Sequence, residues 1–135
     1  MRSAFFYGLF MDRDLLKDKG LCPVGGEIAR VTGYGLRIGE RATLERSANE
    51  RVFGVVIRLS RDELQRLYCA EEVVDYIPRQ LLATGMCGNP IDVVSYVLPV
   101  ERASGRNSEY AKALARVARK VELPLEYINE IESWI

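Results

Sequence analysis

The sequence predicts an α+β fold in a single domain spanning residues 1–135, and three observations carry that prediction. Segments with strand character fill roughly the first hundred residues, and segments with helical spacing fill roughly the last thirty. Within the strand-rich part, glycines interrupt the apolar stretch from Val24 to Ile38, the mark of bent strands. A chain of 135 residues buries roughly two-thirds of its unfolded surface, and with 48% hydrophobic residues it is not a disordered one.

Ala4 to Tyr7 is a short apolar and aromatic run stopped by Gly8, and reads as a buried strand ending in a tight turn. Asp12 to Lys19 reads as a helical turn closed by Gly20. From Val24 to Ile38, Gly25, Gly26, Gly33 and Gly35 predict bulged strands, as in a small barrel. Ala42 to Arg46 and Arg51 to Leu59 then read as a hairpin around a polar loop, Ser47-Ala48-Asn49-Glu50.

A helix follows directly. Ser60 and Glu63 have the spacing of a capping box, and Leu59 and Leu64 that of a hydrophobic staple. The apolar face continues through Leu67 and Tyr68, and at about 100° per residue it returns at Glu71, about 20° from Leu64 and about 40° from Leu67. A carboxylate there faces a pocket, or else the helix ends at Ala70 and Glu71 turns to water; spacing leaves both open. Of the neighbours Glu71 and Glu72, at most one can face a pocket, because adjacent helical residues point about 100° apart.

Tyr76 to Thr84 reads as a strand that Pro78 marks as an edge, and Ile91 to Leu98 as another, across a turn from Gly85 to Pro90. Asn107 and Ser108 offer an N-cap for a helix with Tyr110, Leu114, Val117, Ala118 and Val121 on one face. Pro124 stops it and suits the first position of a last helix carrying Leu125, Ile128, Ile131 and Ile135.

The 19 basic and 19 acidic residues cancel, and there is no basic run, so no nucleic-acid footprint is expected. With no histidine, the chain has no Ser–His or Cys–His nucleophile pair. The 3 cysteines, Cys22, Cys69 and Cys87, form no paired motif and are expected to be reduced thiols. No metal and no cofactor are expected. The expected protein is soluble and cytoplasmic, since no apolar run approaches the roughly 20 residues of a membrane span and the start lacks a secretion signal.

Tyr7-Gly8-Leu9-Phe10 after the first strand is similar to the N-terminal signature of the gamma-glutamylcyclotransferase-like (AIG2-like) family. Ala42-Thr43-Leu44 through Val52-Phe53-Gly54-Val55-Val56 resembles that family's hairpin, and Leu67-Tyr68-Cys69-Ala70-Glu71 its L-x-x-x-E position. Tyr76, Ser95-Tyr96-Val97, Tyr110 and Leu123-Pro124-Leu125-Glu126-Tyr127 follow in the same order, so the resemblance covers nearly the whole chain. It implies a small mixed β-barrel with flanking helices, with Glu71 as the catalytic acid in a cavity. It also implies substrate contacts from Tyr7, Gly8, Leu9, Phe10 and Tyr96. Tyr110 is assigned to the core.

The implied reaction is cyclisation of a gamma-glutamyl amine, amino acid or peptide to 5-oxoproline with release of the amine. The substrate's own α-amine is the nucleophile, which fits a chain without histidine. Leu9 and Phe10 stand where the family usually has small or polar residues, and Glu72 where it usually has glycine. The alternative is a non-catalytic protein that keeps the cavity for a ligand or partner. A homodimer is the one protein partner considered; no membrane partner is expected.

Overall fold

The apolar run that opens the chain becomes strand β1 (Arg2–Phe6), with Ala4, Phe5 and Phe6 buried. Both of its edges are used. Strand β3 (Ala42–Leu59) pairs antiparallel with it from Arg2↔Leu59 to Phe6↔Val55, and β5 (Pro90–Val97) runs parallel to it through Ala4↔Val94. With β2 (Val24–Ile38) and β4 (Ile77–Gly85), these form a closed barrel in the order β1-β3-β2-β4-β5. The computed structural model describes all 135 residues.

Strand β4 meets β2 only at Ala29↔Gly85 and Arg30↔Thr84, while it pairs with β5 along its length. Its first residues therefore form an edge. Pro78, which has no N–H to leave unpaired, sits there as its sequence position implied.

One expected feature differs. Strands β2 and β3 are a single long hairpin, turning at Gly39, whose N–H donates to the Arg41 carbonyl at 3.0 Å. No loop separates Arg46 from Arg51; the register steps from Thr32↔Arg51 to Tyr34↔Arg46, so residues 47–50 are taken up in an irregularity opposite Gly33. Gly33 has φ 86°, a conformation that side chains disfavour. Ala48, Asn49 and Glu50 are exposed, which is why their composition reads as a loop. Arg37 braces the irregularity, reaching Glu45 at 2.9 Å and Glu50 at 2.7 Å.

The helices sit outside the barrel. Helix α1 (Arg13–Asp18) is capped by Asp12, whose side chain accepts from the Asp14 N–H at 3.0 Å. Helix α2 (Arg61–Leu67) has the expected capping box, the Glu63 N–H donating to Ser60 Oγ at 3.0 Å and the Ser60 N–H to Glu63 Oε1 at 2.9 Å. Leu59 and Leu64 are both buried beneath it. The second Glu63 oxygen accepts from the Cys22 N–H at 2.7 Å, tying the chain before β2 to this helix.

Asn107 caps helix α3 (Ser108–Lys120) by accepting from the Tyr110 N–H at 3.0 Å. Pro124 lies just outside helix α4 (Leu125–Glu132) rather than in its first turn. Of the apolar residues expected on α4, Ile128 and Ile131 are buried, Leu125 is exposed, and Tyr127 takes the inner position instead. Residues from β1 through α4 join one core cluster. No helix is long and apolar enough to cross a membrane. All three cysteines are exposed and free.

The buried Thr43 hydroxyl donates to the Leu98 carbonyl at 2.6 Å and accepts from the Leu98 N–H at 2.8 Å, joining β3 to the chain leaving β5. Thr43→Val keeps the shape but strands both backbone groups, so it should lower unfolding free energy by about 1–3 kcal/mol. Urea titration followed by circular dichroism checks this, and an unchanged midpoint would refute it.

Candidate functional site

Strand β1 stops at Phe6, and the chain leaves the sheet through Tyr7 and Gly8 into a short 3-10 turn, Leu9–Met11. The turn closes by its carbonyls: the Met11 N–H donates to Gly8 O and the Asp12 N–H to Leu9 O, each at 3.1 Å. The N–H groups at its start have no such partner, since the first donors of a helical turn have no carbonyl behind them. No backbone carbonyl accepts from Gly8, Leu9 or Phe10. The Leu9 N–H faces the Tyr110 hydroxyl.

These residues form one wall of a cavity of about 420 Å³. Of its 17 lining residues 13 are hydrophobic, the charged ones being Lys19, Arg41 and Glu72. Gly8 is required by space: a Cβ there would lie 2.7 Å from the Tyr110 hydroxyl. Tyr110 thus lines the cavity besides packing on the core, a role that its place on the apolar face of α3 did not signal.

The facing wall comes from the turn after α2. The helix ends at Leu67, with Tyr68 as its C-cap, and the chain continues through a turn held by Val73 N–H to Ala70 O and Tyr76 N–H to Val73 O, each 3.0 Å. Helical phase therefore does not extend to residue 71. Both glutamates are exposed; Glu71 lies outside the cavity lining, whereas Glu72 belongs to it. The acid on the cavity wall is the neighbour of the one that helical phase selects.

Arg41, from the turn between β2 and β3, holds this segment in place. Its guanidinium binds both oxygens of Asp75, at 2.7 and 2.8 Å, donates to the Glu72 carbonyl at 3.2 Å, and lies 5.7 Å from the centre of the Tyr76 ring. No sequence motif points to Arg41, because its partners are 31 and 34 residues away and the contact exists only in the closed barrel. The hydrogen bonds from Arg41 hold the Asp75 pKa down at about 2.

Four more tyrosines line the cavity. Tyr7 donates to the Tyr96 carbonyl at 2.7 Å and Tyr76 to the Ala42 carbonyl at 2.6 Å, so these two hydroxyls brace the barrel mouth. Tyr68 stacks on Tyr96 with centroids 3.8 Å apart and planes within 11°, and meets the edge of Phe10 at 5.9 Å. Burial, and then the neighbouring tyrosines, push the Tyr7 and Tyr68 phenols well above their ordinary pKa, and burial pushes Tyr76 up to about 12. At neutral pH these are uncharged hydrogen-bonding groups. The structure thus brings together Tyr7, Gly8, Leu9, Phe10 and Tyr96, leaves Glu71 outside, and adds Tyr68, Glu72 and Arg41.

By sequence the chain matches no protein-family model and no curated protein. Its fold does match solved structures over nearly its full length. A structure described as a gamma-glutamyl cyclotransferase aligns with 99% of this chain and 88% of its own, at 20% identity and TM-score 0.85. The chain has the gamma-glutamyl cyclotransferase-like fold. An uncharacterized protein from Homo sapiens aligns with 99% of this chain and 88% of its own, at 21% identity and TM-score 0.83. A gamma-glutamyl cyclotransferase specific to glutathione from yeast aligns with 98% of this chain and 94% of its own, at 12% identity and TM-score 0.66. The mixed barrel with outer helices that the resemblance implied is therefore the observed one, and in this cyclotransferase-like barrel the cavity opens where β1 ends.

The Arg41–Asp75 pair makes the second wall sensitive to acid. A carboxyl with a depressed folded pKa adds stability above its unfolded value, about 3.9, and that stability is lost as pH falls through the folded value. Asp75→Asn should therefore melt below the parent at pH 7, and the gap should close between about pH 4 and about pH 2. Thermal melts across that range test it; a gap independent of pH would mean that the ion pair is not its source.

Proposed function

We propose that this protein is a gamma-glutamyl cyclotransferase, converting a gamma-glutamyl amine, amino acid or peptide into 5-oxoproline and free amine. One observation carries this reading: Glu72, the sole acid of the lining, shares the cavity with the Gly8 and Phe10 N–H groups that no backbone carbonyl accepts.

The chemistry follows from what such a cavity can supply. The α-amine of the substrate attacks its own γ-carbonyl, the ring closes, and the amide C–N bond breaks, so the protein provides no covalent nucleophile. Holding the glutamyl chain bent in a near-attack shape contributes about 7–11 kcal/mol through proximity. Glu72 takes a proton from the α-ammonium to free the attacking amine and gives it to the departing nitrogen, and the second proton that the ring nitrogen sheds after attack leaves with the released amine as its ammonium. The Gly8 and Phe10 N–H groups stabilise the oxyanion that forms on the γ-carbonyl, as preorganised donors do. Tyr7 keeps this wall in register with β5 through its bond to the Tyr96 carbonyl.

Glu71 remains the alternative proton carrier, on the strength of the L-x-x-x-E resemblance. Two substitutions separate the two acids. Glu72→Gln should lower 5-oxoproline release by about 10²–10⁴-fold with an unchanged melting temperature, and Glu71→Gln should stay near the parent. The opposite pattern would assign the proton to Glu71.

The largely apolar lining also supports a second reading, a protein that binds a gamma-glutamyl ligand without turning it over. Thermal stabilisation by gamma-glutamyl dipeptides with no 5-oxoproline formed would decide for it.

A further inference from the structure

Two parts of the cavity differ in what they can recognise. Around the Gly8–Phe10 turn and Glu72 lie the donors and the acid that a glutamyl head requires. The rest of the wall is apolar, with the stacked pair Tyr68 and Tyr96, the edges of Phe6 and Phe10, and Leu15 and Val73. The volume of about 420 Å³ lies within the roughly 300–1,000 Å³ of pockets that enclose drug-sized molecules. A glutamyl head with a small amine on it would leave the aromatic part wetted.

We infer that the group released from the γ-carbonyl is large and apolar, an aromatic or branched amine or amino acid, and that Tyr68 determines this preference. The inference rests on the cyclotransferase reading of the cavity. Tyr68 is placed for the role by the end of α2: as C-cap its N–H still donates to the Leu64 carbonyl at 3.1 Å, while its ring leaves the helix to meet Phe10, Tyr76 and Tyr96. It is therefore the side chain that links the β1 wall to the β5 wall across the cavity. Its position is also stiff, since a ring stacked on one partner and set edge-on against another has little freedom to move aside. Apolar pockets discriminate by size, with roughly 10–200-fold for a single methylene, so an aromatic leaving group has ample surface on which to be selected.

The experiment compares gamma-glutamyl-phenylalanine, gamma-glutamyl-leucine and gamma-glutamyl-alanine by 5-oxoproline release, and the same three by calorimetric affinity. The phenylalanine compound should exceed the alanine one in kcat/KM by about 10-fold or more. Tyr68→Ala should erase the preference mainly through KM, and Tyr68→Phe should keep it. Should Tyr68→Ala fail to fold, Phe10→Ala serves as the second variant and should narrow the preference. Equal or reversed preference in the parent, or a preference unchanged in folded Tyr68→Ala, overturns the inference while the cyclotransferase reading stands. If no compound yields 5-oxoproline, that reading fails and the inference about the released group falls with it, whichever compound binds more tightly.

Discussion

Strand β1 has to be held on both edges at once, antiparallel against β3 and parallel against β5, and the position of the cavity follows from how that is done. Gly54 of β3 lets β1 approach: a Cβ there would run into the Phe6 carbonyl and lie 2.8 Å from the Phe5 ring. On the other edge the buried Ser95 hydroxyl donates to the Phe5 carbonyl at 2.9 Å. With both sides fixed, the strand cannot slide, and a shift of one residue would exchange its buried and exposed faces. Strand β1 ends at its last pair with β3, Phe6↔Val55. No backbone carbonyl accepts from the Gly8 and Phe10 N–H groups, because the sheet that would have used them has stopped, and the Leu9 N–H faces the Tyr110 hydroxyl.

The opposite wall is placed by a different constraint. A carboxylate at the end of a helix is aimed by the last turn, and α2 ends 4 residues before Glu71, too early for its periodicity to aim either acid. Arg41 orders the segment instead, taking hold of Asp75 and the Glu72 carbonyl and so fixing the turn between them. A bidentate guanidinium–carboxylate pair holds orientation as well as distance. Arg102 adds a longer contact to Asp75, at 3.4 Å.

Much of this was legible in the residues. The capping box of Ser60 and Glu63, the Asn107 cap and the edge character of Pro78 are local chemistry, and each appears where its sequence puts it. The long β2–β3 hairpin was misread at Ser47–Glu50 because solvated polar residues on an exposed stretch of strand have the composition of a loop. The choice between Glu71 and Glu72 was illegible for a deeper reason. It depends on where a helix frays and on an arginine that is 31 residues away in sequence. Tyr68 was read as a member of an apolar face and of the L-x-x-x-E stretch but not as a cavity residue, since the stack on Tyr96 joins elements that no local pattern connects.

The same ties bear on how the chain reaches its native state. The Ser95 to Phe5 and Tyr7 to Tyr96 hydrogen bonds span 90 and 89 residues, so the first strand finds its second neighbour only after about two-thirds of the chain lies between them. Chains dominated by such distant pairings fold in milliseconds to seconds, because loop entropy is lost before the contacts compensate it. The β2–β3 hairpin, local and long, can form early. The cavity cannot, since one of its walls is the end of β1 and another is β5. Recognition and barrel closure are thus a single late event, and a chain interrupted before β5 would have no partial site.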